Sequence, residues 1–297
     1  MFEGFIDFSV TTQANKILFE PNSILLPRPS YSYIVPLHYK PIFPNRFQGH
    51  SMSSQKKLFI TGAAGKVGSA LRRYLRNRYA FRLLFHNNIP EVEKEDEVVV
   101  SDLSNFENMV EAGEGIDTIV HLGIATSKRG YPRSRYNQMI METNVQGTYN
   151  IYESARINKV PCVVFASTNH VTGFYEKEDI YQTPDMPVRP DSMYGISKAF
   201  GEATARHYYD QYGISSYCIR IANFPNTDEV NSQYEPGKNR WLSARDMSDL
   251  TACCIEAERP GFGVLFAVSK GANLKWDLSS GKELVGWEPQ DRGSPDA

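Results

Sequence analysis

The chain has 297 residues, 41% of them hydrophobic and 22% charged, with a formal net charge of -2, which suits one large α/β domain or a domain with a small lobe. That charge balance gives no electrostatic case for nucleic acid or an anionic membrane, and no apolar stretch approaches the ~20 residues needed to cross a bilayer. Its four cysteines, Cys162, Cys218, Cys253 and Cys254, lack CxxC or metal-ligand spacing, so they read as free thiols in a reducing compartment, the cytoplasm, with no metal expected.

In chain order, residues 1–51 carry Pro21, Pro27, Pro29, Pro36, Pro41 and Pro44 without sustained period-2 or period-3.6 patterning, and they match neither a secretory signal nor a transit peptide. They are expected to be an appendage, with Met52 a candidate start. At Leu58 to Ile60 a first strand runs into three glycines spaced GxxGxxG, Gly62, Gly65 and Gly68, and then into a helix over Lys66 to Arg78. A dinucleotide site needs this strand, turn and helix: glycine lets the backbone approach a pyrophosphate, and the helix N-terminus offers free N–H groups.

Further strands are predicted at Phe81 to Phe85, Glu97 to Asp102, Thr118 to Gly123, Cys162 to Thr168 and Ser216 to Asn223. Helices are predicted at Phe106 to Glu111, Arg135 to Lys159 and Tyr194 to Tyr212, with a last one starting near Ala244. This alternation predicts an α/β fold with a doubly wound parallel sheet, whose ligands bind at the carboxyl ends of the strands. Gly62, Asp102, Gly123, Thr168 and Asn223 all fall at such ends.

The helix from Tyr194 carries the chemistry. Its YGISK run puts Tyr194 and Lys198 on one face a turn apart, where an ammonium favours phenolate and lowers the tyrosine pKa. A tyrosine general base follows. The YxxxK spacing is common on solvated helices, and only the preceding glycine turn and FASTNH turn it into a catalytic pair.

TGAAGKVG, the pair Asp102 and Leu103, VHLG at Val120 to Gly123, NVQGTYN at Asn144 to Asn150, FASTNH at Phe165 to His170 and YGISK occur in the order found in extended short-chain dehydrogenases/reductases, which the chain resembles from Lys57 to Arg220. Within that superfamily it is similar to the uronate dehydrogenases, through IVHLG, GTYNIYESAR, VVFASTNHVTGFY, PDSMYGISKAFGE and the late GWEP. The resemblance implies a Rossmann-type fold with a dinucleotide-binding core over 57–223 and a small C-terminal substrate lobe over 224–297, together forming a catalytic domain over 52–297. It implies hydride transfer from the anomeric C1 hydroxyl of a free hexuronate to NAD(P), giving a lactone.

In that scheme Tyr194 is the base, Thr168 bonds the reacting oxygen, and Lys198 bonds the nicotinamide ribose. Counting back from the VTG at Val171 to Gly173 places the hydroxyl role on Thr168, not Ser167. The other cofactor contacts implied are Gly62, Gly65, Lys66, Val67, Gly68, His86, Asn87, Asp102, Leu103, Leu122, Gly123, Asn144 and Ile221. Implied substrate ligands are Thr126, Asn169, His170, Asn223 and Arg240, with Ser127 beside Thr126. Arg240 would hold the carboxylate, and Lys238 and Arg245 are alternatives. Asn144 also resembles the family's Asn that supports the active-site helix or a proton-relay water. Blander roles exist for several of these: Asp102 is also a good cap for the next helix, Thr168 could satisfy a strand end, Asn144 could be a plain helical residue, Thr126 and Ser127 could be ordinary loop residues, His170 structural and Arg240 a surface arginine.

The end of the second strand departs from the family. An NAD site conventionally has Asp or Glu there, roughly 20 residues after the glycines, to bond the ribose hydroxyls; here the residues are Phe85, His86, Asn87 and Asn88. Loss of the acid removes the usual bar to NADP, which His86 and Arg82 would assist, while Asn87 can still bond hydroxyls. NAD is expected, with NADP open. An aldose or sugar-phosphate dehydrogenase is the nearer rival reading. Nucleotide-sugar epimerases and dehydratases need a larger C-terminal lobe, and a non-catalytic NAD(P)-binding regulator would not need Thr168, Tyr194 and Lys198. A homo-oligomer acting on a sugar or sugar acid is expected, with no nucleic-acid or membrane partner; the chain stops soon after GWEP, where the family usually continues.

Overall fold

The structure is a computed structural model that describes residues 55–125, 130–228, 240–271 and 274–293; the expectations for residues 1–51, Thr126, Ser127 and Lys238 fall outside the described residues. Seven strands form one parallel sheet in the order β3-β2-β1-β4-β5-β6-β7. They are β1 (Lys57–Thr61), β2 (Ala80–Phe85), β3 (Glu97–Val100), β4 (Thr118–His121), β5 (Cys162–Thr168), β6 (Ser215–Ile221) and β7 (Phe262–Ala267). Strand order reverses between β1 and β4, and the crevice that ligands use in such sheets opens there.

Every residue of β4 and β5 is buried, as parallel strands covered on both faces require. Successive side chains point to opposite faces, so β1 feeds two cores. Leu58 and Ile60 pack with Leu71 and Leu75 of α1 (Lys66–Leu75) and Leu250 and Ile255 of α7 (Ala244–Ile255). Phe59 packs on the other side with Met109 of α2 (Phe106–Ala112), Ile151 and Ala155 of α4 (Gly147–Asn158), and Ala205 and Tyr208 of α6 (Met193–Tyr212). Among the described residues no helix is long and apolar enough to cross a membrane.

β3, β4 and α1 end two or three residues short of expectation, at Val100, His121 and Leu75, and the structure differs more substantially in three places. The long helix predicted from Arg135 to Lys159 is divided into α3 (Arg133–Met139), a π-helical segment Ile140–Gln146, and α4. β6 ends at Ile221, because the Asn223 N–H donates to the Arg240 carbonyl (2.7 Å) and the Asn223 carbonyl accepts from the Leu242 N–H (3.0 Å), drawing the chain off the sheet. Finally, the apolar runs predict six strands, and FGVLFA adds a seventh, followed by α8 (Ser279–Val285). The short helix α5 (Gly173–Lys177) follows a 3-10 turn at Asn169–Val171.

Helix α6 positions the proposed chemistry. The Ser192 hydroxyl caps it by accepting from the Gly195 N–H at 3.1 Å, and it closes at Gly213 with φ of 70°, a left-handed conformation that favours glycine. Gly201 lets it lie against β5, since a Cβ there would come within 2.1 Å of the Phe165 ring. Gly201→Ala is therefore expected to destabilise the fold by about 1–3 kcal/mol, measured as a lower denaturation midpoint with an unchanged slope.

Candidate active site

The turn after β1 is built for close approach. Gly62 has φ of +67°, and a Cβ there would lie 2.9 Å from the backbone of Leu122 and Gly123, so sterics and dihedral both demand glycine. The Gly65 N–H closes the turn onto the Gly62 carbonyl at 2.9 Å. A Cβ at Gly68 would meet the Ala63 backbone at 2.8 Å, so this glycine seats α1 on the turn. Helix α1 begins at Gly65 with no side-chain cap, which leaves its first N–H groups to a ligand.

The ends of β1 and β4 are joined by one hydroxyl. Thr61 Oγ1 accepts from the N–H groups of Leu122 (3.1 Å) and Gly123 (3.0 Å) and lies 2.7 Å from His121 Nδ1. With its acceptor capacity taken, its own hydrogen goes to His121 Nδ1, which puts the imidazole proton on Nε2, 3.2 Å from Thr148 Oγ1. Burial pushes the His121 pKa down to about 3, with help from the charge of Lys198; the ring is neutral and one tautomer is fixed.

A crevice of ≈ 1070 Å³ opens over these strand ends. It is lined by Gly62, Gly65, Lys66, Val67, Gly68, His86, Asn87, Asp102, Leu103, Leu122, Gly123, Thr168, Asn169, His170, Tyr194, Lys198, Ile221 and Asn223. Nearly all the residues singled out by the sequence thus meet on one wall system. Asn144, Arg240 and Arg82 are among the described exceptions; Arg82, expected to assist NADP, is held instead by Glu97 and the Ala112 and Glu114 carbonyls. Asn144, expected among the cofactor contacts, is buried below the surface: its Oδ1 accepts from the Ala125 N–H (2.7 Å), and its Nδ2 donates to Ser197 Oγ (3.0 Å), which donates to the Tyr194 carbonyl (2.8 Å). It braces the β4 loop against α6. Arg240 pairs with Glu176, whose other carboxylate oxygen accepts from Asn169 Nδ2 at 2.9 Å; its link to the crevice runs through Asn169. Of its two alternatives, Arg245 is engaged elsewhere, with Asp291.

The reacting groups stand at the ends of β5 and α6. Thr168 Oγ1 accepts from the His170 N–H at 3.3 Å, and His170 Nδ1 is 2.9 Å from the Asp191 carboxylate, with its ring edge-on to Tyr194 at 6.1 Å. Lys198 Nζ lies 4.7 Å from the Phe165 ring centroid and 5.8 Å from that of Tyr194. Burial raises the Tyr194 pKa to about 12, aided by Tyr136 and opposed by a hydrogen bond with Thr168. Burial likewise lowers Lys198 to about 7. Withdrawal from water thus favours the uncharged form of both groups in the free protein, in opposition to the lowering of the phenol expected from a neighbouring ammonium.

Beneath this pair lies a buried clamp invisible to motif spacing. Glu202, one turn beyond Lys198, accepts from Ser167 Oγ (2.6 Å) and from Arg220 Nε and Nη2 (2.9 and 2.8 Å), tying α6 to β5 and β6 beside Thr168 and Ile221. The final Glu of YGISKAFGE was the available signal. Thr61, His121, Glu176 and Asp191 were also missed; Thr61 and His121 lie within the motifs TGAAG and VHLG, but nothing in spacing pairs them.

The profile of the family described as NAD dependent epimerase/dehydratase matches residues 58–231. The chain is 36% identical to the uronate dehydrogenase of Pseudomonas syringae, over 74% of this chain and 77% of that one. It is 30% identical to the NAD-dependent glucose-6-phosphate dehydrogenase of Haloferax volcanii, over 80% and 94%. Among solved structures, a tyrosine-to-alanine mutant of uronate dehydrogenase from Agrobacterium tumefaciens, complexed with NAD, superposes with a TM-score of 0.71 at 31% identity, covering 81% of this chain and 86% of that one.

Burial of Lys198 has a measurable cost. Its folded-state pKa, about 7, lies below the 10.5 of an exposed lysine, so the unfolded chain binds more protons between those values and stability rises with pH across that window. Lys198→Met should abolish turnover yet stabilise the fold by about 1–3 kcal/mol near neutral pH. That gain should vanish above pH 10.5, as read by denaturant unfolding at several pH values.

Proposed function

The chain belongs to the NAD dependent epimerase/dehydratase family, and we propose that it is a sugar-acid dehydrogenase that oxidises the anomeric carbon of a free hexuronate to a lactone. One observation carries this reading: the end of β5 delivers Thr168, Asn169 and His170 to the same crevice wall as Tyr194 and Lys198 of α6, facing the glycine turn. The similarity to uronate dehydrogenases over three quarters or so of their length supports the substrate class.

The residues present fit a nicotinamide dinucleotide, because the glycine turn and the head of α1, which has no cap of its own, both face the crevice. Gly62, Gly65, Gly68 and Lys66 would hold the pyrophosphate, Asp102 and Leu103 the adenosine, and Lys198 the nicotinamide ribose. NAD, when bound, supplies the hydride acceptor and a positive ring charge that favours phenolate. Tyr194 takes the proton of the anomeric hydroxyl through its phenol oxygen. Thr168 bonds the same substrate oxygen, and its hydrogen bond already opposes the upward pull of burial on Tyr194. His170, its ring oriented by Asp191, and Asn169, its amide anchored to Glu176, place the sugar so that its C1 hydrogen faces the acceptor.

Arg240 is the proposed partner of the substrate carboxylate, which would compete with Glu176 for the guanidinium. Residues 52–297 are the proposed catalytic domain, with the dinucleotide on 57–223 and substrate contacts added by 224–297. A sugar-phosphate substrate is the second reading, favoured by the similarity to the glucose-6-phosphate dehydrogenase.

Formation of reduced nicotinamide is expected with galacturonate or glucuronate and not with glucose or glucose 6-phosphate; turnover of the latter pair alone would overturn the substrate class. Tyr194→Phe should cut kcat by roughly 10²–10⁴-fold. Arg240→Met should raise KM for the uronate by roughly tenfold or more, with little change in kcat.

A further inference from the structure

The end of β2 replaces the ribose-binding acid with His86, yet a carboxylate still reaches the place. Asp102, just past the end of β3, holds Oδ1 on the Ser104 N–H (2.8 Å) and hydroxyl (2.7 Å). Its Oδ2 lies 3.2 Å from His86 Nε2. On the far side of the ring, Asn87 Nδ2 is 3.1 Å from His86 Nδ1. A single neutral tautomer satisfies every contact: the Asn87 amide donates to Nδ1, and Nε2–H donates to the carboxylate. His86, Asn87 and Asp102 all line the crevice.

The charge of this corner depends on one proton. With His86 neutral, the pair carries the single negative charge of Asp102. Burial opposes ionisation of that carboxyl, but the two bonds from Ser104, joined by the charge of His86 when the ring is protonated, hold it below the usual carboxylate range. With His86 protonated the pair is neutral overall, and a half-turn of the Asn87 amide presents Oδ1 to the new Nδ1–H. The other charged side chains nearby are Lys66, which lines the crevice at the head of α1, and Arg72, whose guanidinium lies 6.0 Å from the Phe85 ring centroid with Nη2 on the Glu91 carbonyl. Asp102 and Glu142 are the acidic residues among those lining the crevice, and Glu142 lies away on the π segment.

We propose that the His86–Asp102 pair sets the choice between dinucleotides without and with a 2′-phosphate on the adenosine ribose, rejecting the phosphate while His86 is neutral and admitting it once His86 is protonated. The proposal rests on the dinucleotide-binding reading above. An acid fixed at the end of β2 would exclude the phosphate at every pH; an acid bridged by histidine makes the exclusion conditional.

The adenosine half alone tests this without turnover. Dissociation constants for ADP-ribose and for 2′-phospho-ADP-ribose are measured by calorimetry at low ionic strength, near pH 8.5 and near pH 5.5, on either side of the usual histidine range. For the unaltered protein, the constant for 2′-phospho-ADP-ribose divided by that for ADP-ribose should fall by roughly five- to tenfold on acidification, the effect of removing one charge near a phosphate. The phosphate itself titrates near pH 6, so His86→Gln is the control: its ratio should fall only by the part that phosphate protonation causes, several-fold less than in the unaltered protein. Asp102→Asn should lower the ratio at both pH values. Equal pH dependence in the unaltered protein and His86→Gln would overturn the proposal even if ADP-ribose binds well. Failure of ADP-ribose itself to bind would overturn the dinucleotide reading and the proposal with it.

Discussion

The Thr61 hydroxyl holds the reversal point of the sheet, and the geometry of the whole crevice follows from it. It takes up two backbone N–H groups after β4 and fixes the tautomer of His121. Without it, those N–H groups would lack a partner at a cost of about 1–3 kcal/mol for each one buried. Because the hydroxyl draws Leu122 and Gly123 against the glycine turn, Gly62 can have no Cβ, and the turn and the floor of the crevice are referenced to one spot. The neutral, buried His121 also keeps a second cation away from Lys198.

Two further polar braces act in series with it. Asn144 and Ser197 tie the β4 loop to the first turn of α6, and Glu202 with Arg220 ties the third turn of that helix to β5 and β6. Between these fixed points Gly201 allows contact with Phe165. Tyr194 and Lys198 are therefore held by bonds made on either side of them, leaving their own polar atoms facing the crevice. Burial there pushes the Tyr194 phenol up and the Lys198 ammonium down, each towards its uncharged form.

Local pattern carried much of the fold into view. The glycine spacing, the apolar runs of β4 and β5 and the capped start of α6 are decided by neighbours in sequence, and these elements stand where the residues predict them. Features that failed to show depend on partners far along the chain. Glu202 finds Arg220 across two strands, Asp191 finds His170, and Arg240 is captured by Glu176. Spacing brought Tyr194 and Lys198 into view as neighbours but not their burial, since proximity is visible in a sequence and dehydration is not. β7 was hidden for another reason: a short apolar run such as FGVLFA has no period that separates strand from buried helix.

The π segment Ile140–Gln146 makes the number of residues here matter more than their identity. A π turn accommodates one residue beyond the α-helical repeat, and Asn144 reaches both Ala125 and Ser197 from within it. In an unbroken α-helix that extra residue would swing everything beyond it by about 100°; the wider turn takes it up, so α3 and α4 stay in phase. Losing one residue here would let regular winding return with the flanks still aligned, and the loss would fall on the two bonds that Asn144 makes from the bulge.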